Sequence, residues 1–326
     1  MSVGEPSLNF CDPIPGASVN TAAVDSGLKR SLTEPADRFL ARTGKQIRAA
    51  MVNASFHAAG GKGLAASKIA DAIELLHAGS LIVDDIEDES VSRRGQPTLH
   101  CEIGVPLALN LGNWMYFQAL ERLSETQLPT RVTRSILART LKTIRRCHEG
   151  QALDLGSRVD DLTVSHLYPI ALEISRLKTG GLTALSAWLG AMAAGGNRLT
   201  RNALSRFGMS VGICLQMIND LQELRRFVEG AERYDDLRNA RVTWAWAWAA
   251  KVSNRKQMHG LQSRLTQAAG DLHQNQAIAR ELLEFVGDRG DVFVNQRLQR
   301  ELTILGEHVE STGGLRMAIE RLQGKG

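Results

Sequence analysis

An apolar run leads directly into a dense acidic cluster in the stretch Leu75-Leu76-His77-Ala78-Gly79-Ser80-Leu81-Ile82-Val83-Asp84-Asp85-Ile86-Glu87-Asp88. The run predicts a helix that enters a core. Residues four apart on a helix share one face, so Asp84 and Asp88 point the same way, where like charges repel unless a cation lies between them. Mg²⁺ prefers oxygen ligands and binds one or two carboxylates together with substrate phosphates. The cluster therefore indicates either a magnesium site or a solvated acidic helix end.

Two arginines follow the acidic cluster within a few residues. Arg93 and Arg94 lie on a turn that Gly95 and Pro97 predict. A guanidinium can bind two phosphate oxygens at once, which makes this pair a candidate grip for a diphosphate. The alternative is that the two arginines only neutralise the nearby carboxylates.

Two further cationic segments lie elsewhere in the chain. In Arg42-Thr43-Gly44-Lys45-Gln46-Ile47-Arg48 three cations surround a glycine, which is a second candidate grip for a diphosphate. Lys178 precedes the pair Gly180-Gly181, where the backbone can approach a ligand closely. Short basic clusters are commonly solvated surface, and a glycine pair also ends helices, so neither segment decides the function alone.

A second acidic cluster closes another apolar run, in Gln216-Met217-Ile218-Asn219-Asp220-Leu221-Gln222-Glu223. Asn219 and Glu223 repeat the spacing of four, with Asp220 beside them. The two clusters are far apart in the sequence, and facing helices in a bundle can project carboxylates inward to hold metals. Together they favour a metal site between two helices.

The composition excludes several classes of protein. Of the 326 residues, 43% are hydrophobic, 23% are charged and 5% are aromatic, and the net charge is +4. This is globular composition, and without a dense basic tract it argues against nucleic-acid binding. The nearly apolar residues 182–194 are too few to span a bilayer, which needs ~20 residues, so we expect no transmembrane segment. Four scattered cysteines without a Cys-x-x-Cys pair predict reduced thiols in a cytoplasmic protein.

The spacing of apolar residues favours helices throughout the chain. Apolar residues recur at steps of three and four through residues 64–83, 131–147, 164–192, 203–221 and 280–304. The sequence therefore predicts an all-α fold, with a loose, proline-rich N-terminal arm over residues 1–30 and a single domain over residues 31–326.

The tryptophan-rich segment Trp244-Ala245-Trp246-Ala247-Trp248 is also predicted to be helical, since it is rich in alanine and lacks β-branched residues. Trp244 and Trp248 would then share one face. That face would lie in a packed core or, alternatively, at a membrane surface.

Five short motifs together resemble those of the trans-isoprenyl diphosphate synthases, the polyprenyl synthetase family. The family's patterns GKxxR, DDxxD, RRGxPT, GQxxD and KT are matched by Gly44–Arg48, Asp84–Asp88, Arg93–Thr98, Gly150–Asp154 and Lys178-Thr179. The resemblance covers roughly residues 38–305, and the combination of DDxxD with RRGxPT is highly specific. Within the family the chain is most similar to geranylgeranyl diphosphate synthases.

The resemblance implies an isoprenoid-synthase-type bundle of long helices around a central apolar cavity, usually assembled as a homodimer. It implies three Mg²⁺ ions per active site and the joining of an allylic diphosphate to isopentenyl diphosphate. The implied metal ligands are Asp84, Asp85, Asp88, Asn219, Asp220 and Glu223. The implied catalytic residues are Asp84, Asp88, Arg93, Lys178 and Gln216. The implied substrate contacts are Gly44, Lys45, Arg48, His77, Arg93, Arg94, Lys178, Thr179 and Gln216.

The second acidic motif departs from the family pattern, which is again DDxxD. Here it begins with Asn219, a neutral and weaker metal ligand than a carboxylate. The lysine that usually follows is changed, and the usual Lys-x-Thr-Leu-Pro is replaced by Arg241-Val242-Thr243-Trp244-Ala245. Three functions stay open: elongation with Asn219 binding metal through its carbonyl oxygen, cyclisation of an allylic diphosphate to a terpene, or a regulatory subunit with little activity.

Other residues favour elongation over these alternatives. A terpene cyclase would have Ser or Thr in place of Glu223, and Glu in place of Phe227. It also has no use for a second diphosphate site. Gly44–Arg48 and the pair Arg93-Arg94 are nevertheless intact. A regulatory subunit would leave the first motif free to decay, and that motif is complete. A helical scaffold protein, which is a different class, would show no dependence on a metal.

Leu76, Gly79 and Ser80, which precede Asp84 in the sequence, bear on the length of the product. In this family, large aromatic residues four or five positions before the first motif form a floor that stops the chain at fifteen carbons. Here these positions are Ser80 and Gly79, which are small, and Leu76 is the next obstacle, about one turn deeper. We therefore expect a C20 product, geranylgeranyl diphosphate.

Overall fold

The computed structural model describes residues 21–42, 44, 46–268, 271–309 and 311–322. These residues form sixteen α-helices, two π-helical segments and one short antiparallel hairpin, which confirms the all-α class. The α-helices are α1 (Thr21–Leu28), α2 (Glu34–Leu40), α3 (Ile47–Ala58), α4 (Ser67–Glu87), α5 (Leu99–Ile103), α6 (Val105–Ser124), α7 (Thr130–Gly156), α8 (Val164–Ser175), α9 (Gly181–Ala193), α10 (Arg198–Val228), α11 (Asp235–Arg238), α12 (Trp244–Val252), α13 (Arg255–Ala268), α14 (Leu272–Val286), α15 (Arg289–Gly306) and α16 (Gly313–Leu322). The π-helical segments are Lys29–Thr33 and Arg176–Gly180, and the hairpin strands are β1 (Ser92–Arg93) and β2 (Gln96–Pro97).

The helices depart from the expected ones at three places. Residues 21–28 of the expected arm form α1, a helix with no buried residue, while residues 1–20 lie outside the described part of the chain. The pattern over residues 164–192 is divided by the second π-helical segment, and the pattern over residues 280–304 falls in two helices. The latter break follows from Gly287, whose φ of 50° a glycine tolerates and other residues rarely adopt.

Polar side chains fix where two of the long helices begin. The side chain of Asn197 accepts hydrogen bonds from the backbone N–H groups of Leu199 and Thr200, at 2.8 and 3.0 Å, and so caps α10. Asp271 caps α14 by accepting from Gln274 N at 2.8 Å. Each such cap contributes about 1 kcal/mol, because it satisfies N–H groups that the helix itself leaves without partners.

The helices that carry the two acidic clusters, α4 and α10, have deeply buried apolar faces. α4 packs against α6, and α10 packs against α9. Ile73 and Ile82 on α4 and Phe207 and Val211 on α10 are at most 1% exposed. Burial of each such side chain contributes about 1.5–3 kcal/mol. With these faces buried, both helices present polar residues to one cleft of about 1450 Å³, which residues of α4, α6, α7 and α10 line.

Two glycine pairs bring helices into backbone contact near this cleft. A Cβ atom on Gly212 of α10 would lie 2.6 Å from both the Cα atom of Gly180 and the carbonyl oxygen of Thr179. A Cβ atom on Gly79 of α4 would lie 2.7 Å from the carbonyl oxygen of Gly112 on α6. The absence of a side chain therefore seats α10 directly on the second π-helical segment, and α4 directly on α6.

The tryptophans of α12 belong to the core. Trp244 and Trp246 are each 1% exposed, and the indole Nε1 of Trp244 donates to Ser175 Oγ at 2.8 Å. Trp244 and Trp248 do share a face, with ring centroids 5.6 Å apart. The expectation of a packing role is confirmed for the two buried rings. In the part of the chain that the structure describes, we find no helix whose length and hydropathy would let it cross a bilayer.

Candidate active site

The first acidic cluster lies at the C-terminal end of α4, where Asp84 and Asp88 line the cleft. Burial raises the pKa of both carboxyls above its usual range, and the Lys178 ammonium opposes part of that shift. The raised pKa values mean that two half-buried carboxylates are unfavourable at this place. A bound cation would lower that cost.

Asp85, between them in sequence, faces another partner. Its carboxylate is 1% exposed, and its two oxygens share one bifurcated hydrogen bond from Arg93 Nε–H, at 2.8 and 2.9 Å, while Arg93 Nη2 lies 2.6 Å from Oδ1. Burial alone would lower the pKa of the Arg93 guanidinium, but Asp85 outweighs burial and raises it. Asp85 thus fixes the position of Arg93, and its expected role as a metal ligand stays a prediction.

The two adjacent arginines point to different places because of the turn between β1 and β2. Arg94 and Gly95 both have positive φ, 55° and 75°, as in a type I′ hairpin turn. Arg93 reaches Asp85, whereas the Arg94 guanidinium lies over Gly44, so close that a Cβ atom there would be 2.5 Å from Nη1. A larger residue at position 44 would displace the Arg94 guanidinium from this place.

Arg48 and His77 lie near Arg94 and contact each other. Arg48 Nη1 is 2.8 Å from His77 Nε2, and both residues line the cleft. Burial, helped by the positive charge of Arg48, lowers the pKa of His77 well below its usual value, so the ring is neutral and Nε2 accepts. Arg48 Nε is buried without a hydrogen-bond partner. An orphaned donor at this place fits an anion that the protein binds.

Lys178 is held by the second π-helical segment, a helix irregularity that is frequent at functional sites. Its Nζ donates to Asp154 Oδ2 at 2.7 Å. Burial lowers the pKa of Lys178, but Asp154 and Asp84 outweigh burial, so the net pKa is raised and the ammonium stays charged. One turn earlier on α7, Gln151 Nε2 donates to Glu87 Oε2 at 2.7 Å. The GQxxD motif therefore contacts the first acidic cluster through Gln151 and Lys178 through Asp154.

The second acidic cluster is divided between two environments. Asn219 and Glu223 line the cleft, and burial raises the pKa of Glu223 while Arg93 opposes the shift. Asp220 is buried, and burial raises its pKa to about 7, although hydrogen bonds from Trp244 and Gln216 hold it down. The structure thus brings two of the three expected ligands to the cleft.

Two arginines that sequence reasoning did not assign to the site also contact the first cluster. Arg241 Nη2 lies 3.4 Å from Asp88 Oδ1, and its Nη1 donates to the carbonyl oxygen of Leu155 at 2.7 Å. Arg233 Nη2 donates to the carbonyl oxygen of Glu89 at 2.9 Å. The signal for Arg241 was its place in the altered Lys-x-Thr-Leu-Pro segment, whereas nothing in the sequence around Arg233 indicated this contact.

The expected floor residues have different surroundings. Leu76 and Ser80 line the cleft together with Tyr116 of α6, a large side chain that the sequence pattern did not reveal. Gly79 instead packs against α6, where a Cβ atom would also lie 3.4 Å from Tyr116 Cδ1. Its small size lets α6 approach α4 closely, and its expected effect on the length of the product stays a prediction.

The donors at the cleft fit a divalent cation. Among the described residues, no three His, Cys, Asp or Glu side chains are close enough to form a preassembled site. Asp84, Asp88, Asn219 and Glu223 nevertheless offer oxygen atoms only. Mg²⁺ takes few ligands from protein and completes its shell with water and substrate phosphates, so an incomplete oxygen set is what it requires.

The fold and the cleft define the class of protein: an all-α bundle with acidic helix ends and half-buried arginines around one cleft. The sequence model of the polyprenyl synthetase family matches residues 29–282, and the chain belongs to this family of trans-isoprenyl diphosphate synthases. The (2E,6E)-farnesyl diphosphate synthase of Mycobacterium bovis is 33% identical over 256 residues, which are 76% of this chain and 68% of the relative. The curated relatives are matched over 46–69% of their own lengths.

Solved structures agree with this assignment. The geranylgeranyl pyrophosphate synthetase of Pyrococcus horikoshii Ot3 superposes with a TM-score of 0.74 and 26% identity, over 93% of this chain and 95% of that protein. The polyprenyl synthase of Caulobacter crescentus CB15, complexed with calcium and isoprenyl diphosphate, superposes with a TM-score of 0.72 and 22% identity. The superposition covers 96% of this chain and 98% of that protein. The latter likeness shows the shared fold.

Proposed function

We propose that the protein joins an allylic diphosphate head to tail to isopentenyl diphosphate, with Mg²⁺, and releases geranylgeranyl diphosphate (C20). The observation that carries the proposal is the presence of two separate cationic grips in one cleft. Arg93 and Lys178 pair with carboxylates of the site, Asp85 and Asp154, whereas Arg94 lies over Gly44 and Arg48 contacts His77. A condensation needs two diphosphate sites, whereas a cyclase needs one.

The first grip holds the allylic diphosphate. Asp84, Asp88, Asn219 and Glu223 would hold Mg²⁺, three ions per active site, which when bound neutralises the charge that grows on the leaving diphosphate. Arg93, fixed by Asp85, and Lys178 donate to the same diphosphate oxygens. Preorganised donors of this kind stabilise developing charge strongly in a cleft that excludes water.

The second grip holds isopentenyl diphosphate. Arg48 has a buried Nε without a partner, and neutral His77 keeps its guanidinium in place by accepting from Nη1. Arg94 over Gly44 completes the grip. Lys45, which the sequence also predicts to contact the substrate, lies outside the described residues. Holding both substrates in one geometry removes about 7–11 kcal/mol of the barrier. The released diphosphate takes the final proton, and apolar walls such as Leu76 and Leu182 keep water from the carbocation.

The test is an incubation of purified protein and Mg²⁺ with farnesyl diphosphate, with and without isopentenyl diphosphate. Longer diphosphates that form only with both substrates support the proposal. A hydrocarbon from the allylic substrate alone would make the protein a cyclase. Little turnover in either case, with turnover restored by another prenyltransferase chain, would make it a regulatory subunit. Asp84→Ala should abolish Mg²⁺-dependent turnover, and a helical scaffold protein would show no such dependence.

The active protein is further proposed to be a homodimer in the cytoplasm. Exposed apolar side chains on α6 support a subunit contact, with Val105 47%, Leu107 42% and Phe117 71% exposed. The free thiols Cys101, Cys147 and Cys214 suit a reducing compartment. Light scattering should give twice the chain mass for the wild type and a monomer for Phe117→Glu. A wild-type monomer that is fully active would contradict the dimer.

A further inference from the structure

We infer that Asp220, in the middle of the second acidic motif, is a positioning residue and not a metal ligand. The inference concerns the same site as the proposed function and rests on it. It goes further by dividing the second motif into a part that faces the substrates and a part that holds the site together.

The side chain of Asp220 lies behind the cleft. The cleft is lined by Gln216, Asn219 and Glu223 but not by Asp220, which borders an adjoining cavity of about 40 Å³. Asp220 is 4% exposed. A cavity of this volume is large enough for a buried water. The carboxylate is therefore directed into the protein.

Both carboxylate oxygens of Asp220 already have donors. Gln216 Nε2 donates to Oδ1 at 2.8 Å, and the backbone N–H of Trp244 donates to Oδ2 at 2.8 Å. Trp244 is the first residue of α12, so the carboxylate satisfies an N–H that the helix cannot satisfy and lies at the positive end of its dipole. Binding a metal would require Asp220 to give up at least part of this arrangement.

The hydrogen bonds continue from Asp220 to the residue beside the active-site lysine. Gln216 Oε1 accepts from Thr179 Oγ1 at 2.7 Å, and Thr179 follows Lys178 in the second π-helical segment. Asp220 therefore links the start of α12 to the segment that carries Lys178. This chain of contacts fixes Gln216 and Thr179, while only Asn219 and Glu223 of the motif are left for metal.

The experiment compares the same chemical change at Asp220 and at Glu223, which lines the cleft. In Asp220→Asn, the new oxygen can accept from Trp244 N–H, and the new amide nitrogen can donate to Gln216 once the Gln216 amide turns over, with Thr179 then accepting. The network survives although the charge is lost. Glu223→Gln removes the same charge at the cleft. Asp220→Ala removes the network as well.

Two quantities separate the roles: the unfolding midpoint without Mg²⁺, and the Kd for inorganic pyrophosphate with Mg²⁺ by titration calorimetry. Asp220→Ala should lower the midpoint by about 4 °C and lower kcat, and Asp220→Asn should recover most of both. Pyrophosphate affinity in Asp220→Asn should stay within about threefold of wild type, whereas Glu223→Gln should lose about tenfold with its midpoint unchanged.

Equal losses of pyrophosphate affinity in Asp220→Asn and Glu223→Gln would overturn the inference, as would equal midpoints in Asp220→Ala and wild type. Wild-type protein that binds no pyrophosphate with Mg²⁺ would refute the proposed function instead. The midpoint comparison would then still decide whether Asp220 holds the network.

Discussion

Truncation of Asp85 to alanine should destabilise the folded protein strongly, even in buffer without Mg²⁺. Its carboxylate is 1% exposed, and Arg93 donates to it through Nε at 2.8 and 2.9 Å. Removing one partner of a buried ion pair costs about 3–5 kcal/mol, because the other charge stays buried without compensation. Arg93 keeps 30% of its side-chain surface exposed, so water compensates part of the loss and we expect about 3 kcal/mol. For a chain of this size, that lowers Tm by about 6 °C.

The assay is urea unfolding of four proteins: wild type, Asp85→Ala, Arg93→Ala and the double variant. Arg93→Ala should cost a similar free energy, since it leaves the Asp85 carboxylate buried and unpaired. The double variant should cost about 2 kcal/mol less than the sum of the two, because the second truncation removes the charge that the first left alone. The matched control is Asp88→Ala on the same helix end. Asp88 is 33% exposed and 3.4 Å from Arg241, so its loss should cost less than about 1 kcal/mol.

Additive losses in the double variant would refute the reasoning, because residues that do not stabilise each other show no coupling free energy. A second contrary result is a loss under about 1 kcal/mol for Asp85→Ala that comes with abolished Mg²⁺ binding. Asp85 would then be a metal ligand, as the resemblance implied, and the contact with Arg93 would be incidental.

Three other predictions concern single residues. Because burial lowers the pKa of His77 well below 6.5, only the unfolded chain takes up a proton at this residue as pH falls through that value, so the contribution of His77 to the free energy of unfolding should drop by about 1 kcal/mol from pH 7.5 to 5.5. His77→Asn should remove that drop in urea titrations at the two pH values, and an unchanged pH dependence would contradict a neutral His77. Gly212→Ala should cost about 1–3 kcal/mol and lower kcat, since its Cβ atom meets the backbone of Gly180, whereas Gly260→Ala, where nothing lies within 4 Å, should not destabilise. Mass spectrometry of products should show shorter chains for Ser80→Phe, because its side chain enters the cleft. Gly79→Ala should mainly lower stability. A change of product length in Gly79→Ala without a loss of stability would instead support the expectation that Gly79 sets the product length.

The sequence predicted much of the cleft because its signals are local. The spacing of four puts Asp84 and Asp88 on one helix face, and a helix at this place is what the structure shows. The same rule could not predict that Asp220 turns away from Asn219, since its partner Trp244 lies on another helix. The surroundings of Gly79 could not be predicted for the same reason: the backbone of α6, a distant segment, packs against this glycine. Contacts between distant segments, such as Arg233 with Glu89, leave no pattern in the sequence.

The two-residue turn between β1 and β2 directs Arg93 and Arg94, which are adjacent in sequence, to the two proposed diphosphate positions. Adjacent Cα atoms are about 3.8 Å apart, so neither arginine can shift far without moving the other. Asp85 already holds Arg93, so a diphosphate that orders Arg94 would restrain the turn between them and remove part of the conformational entropy that the turn retains. The two substrates should consequently bind with positive cooperativity, and each should raise the affinity of the other by the same factor.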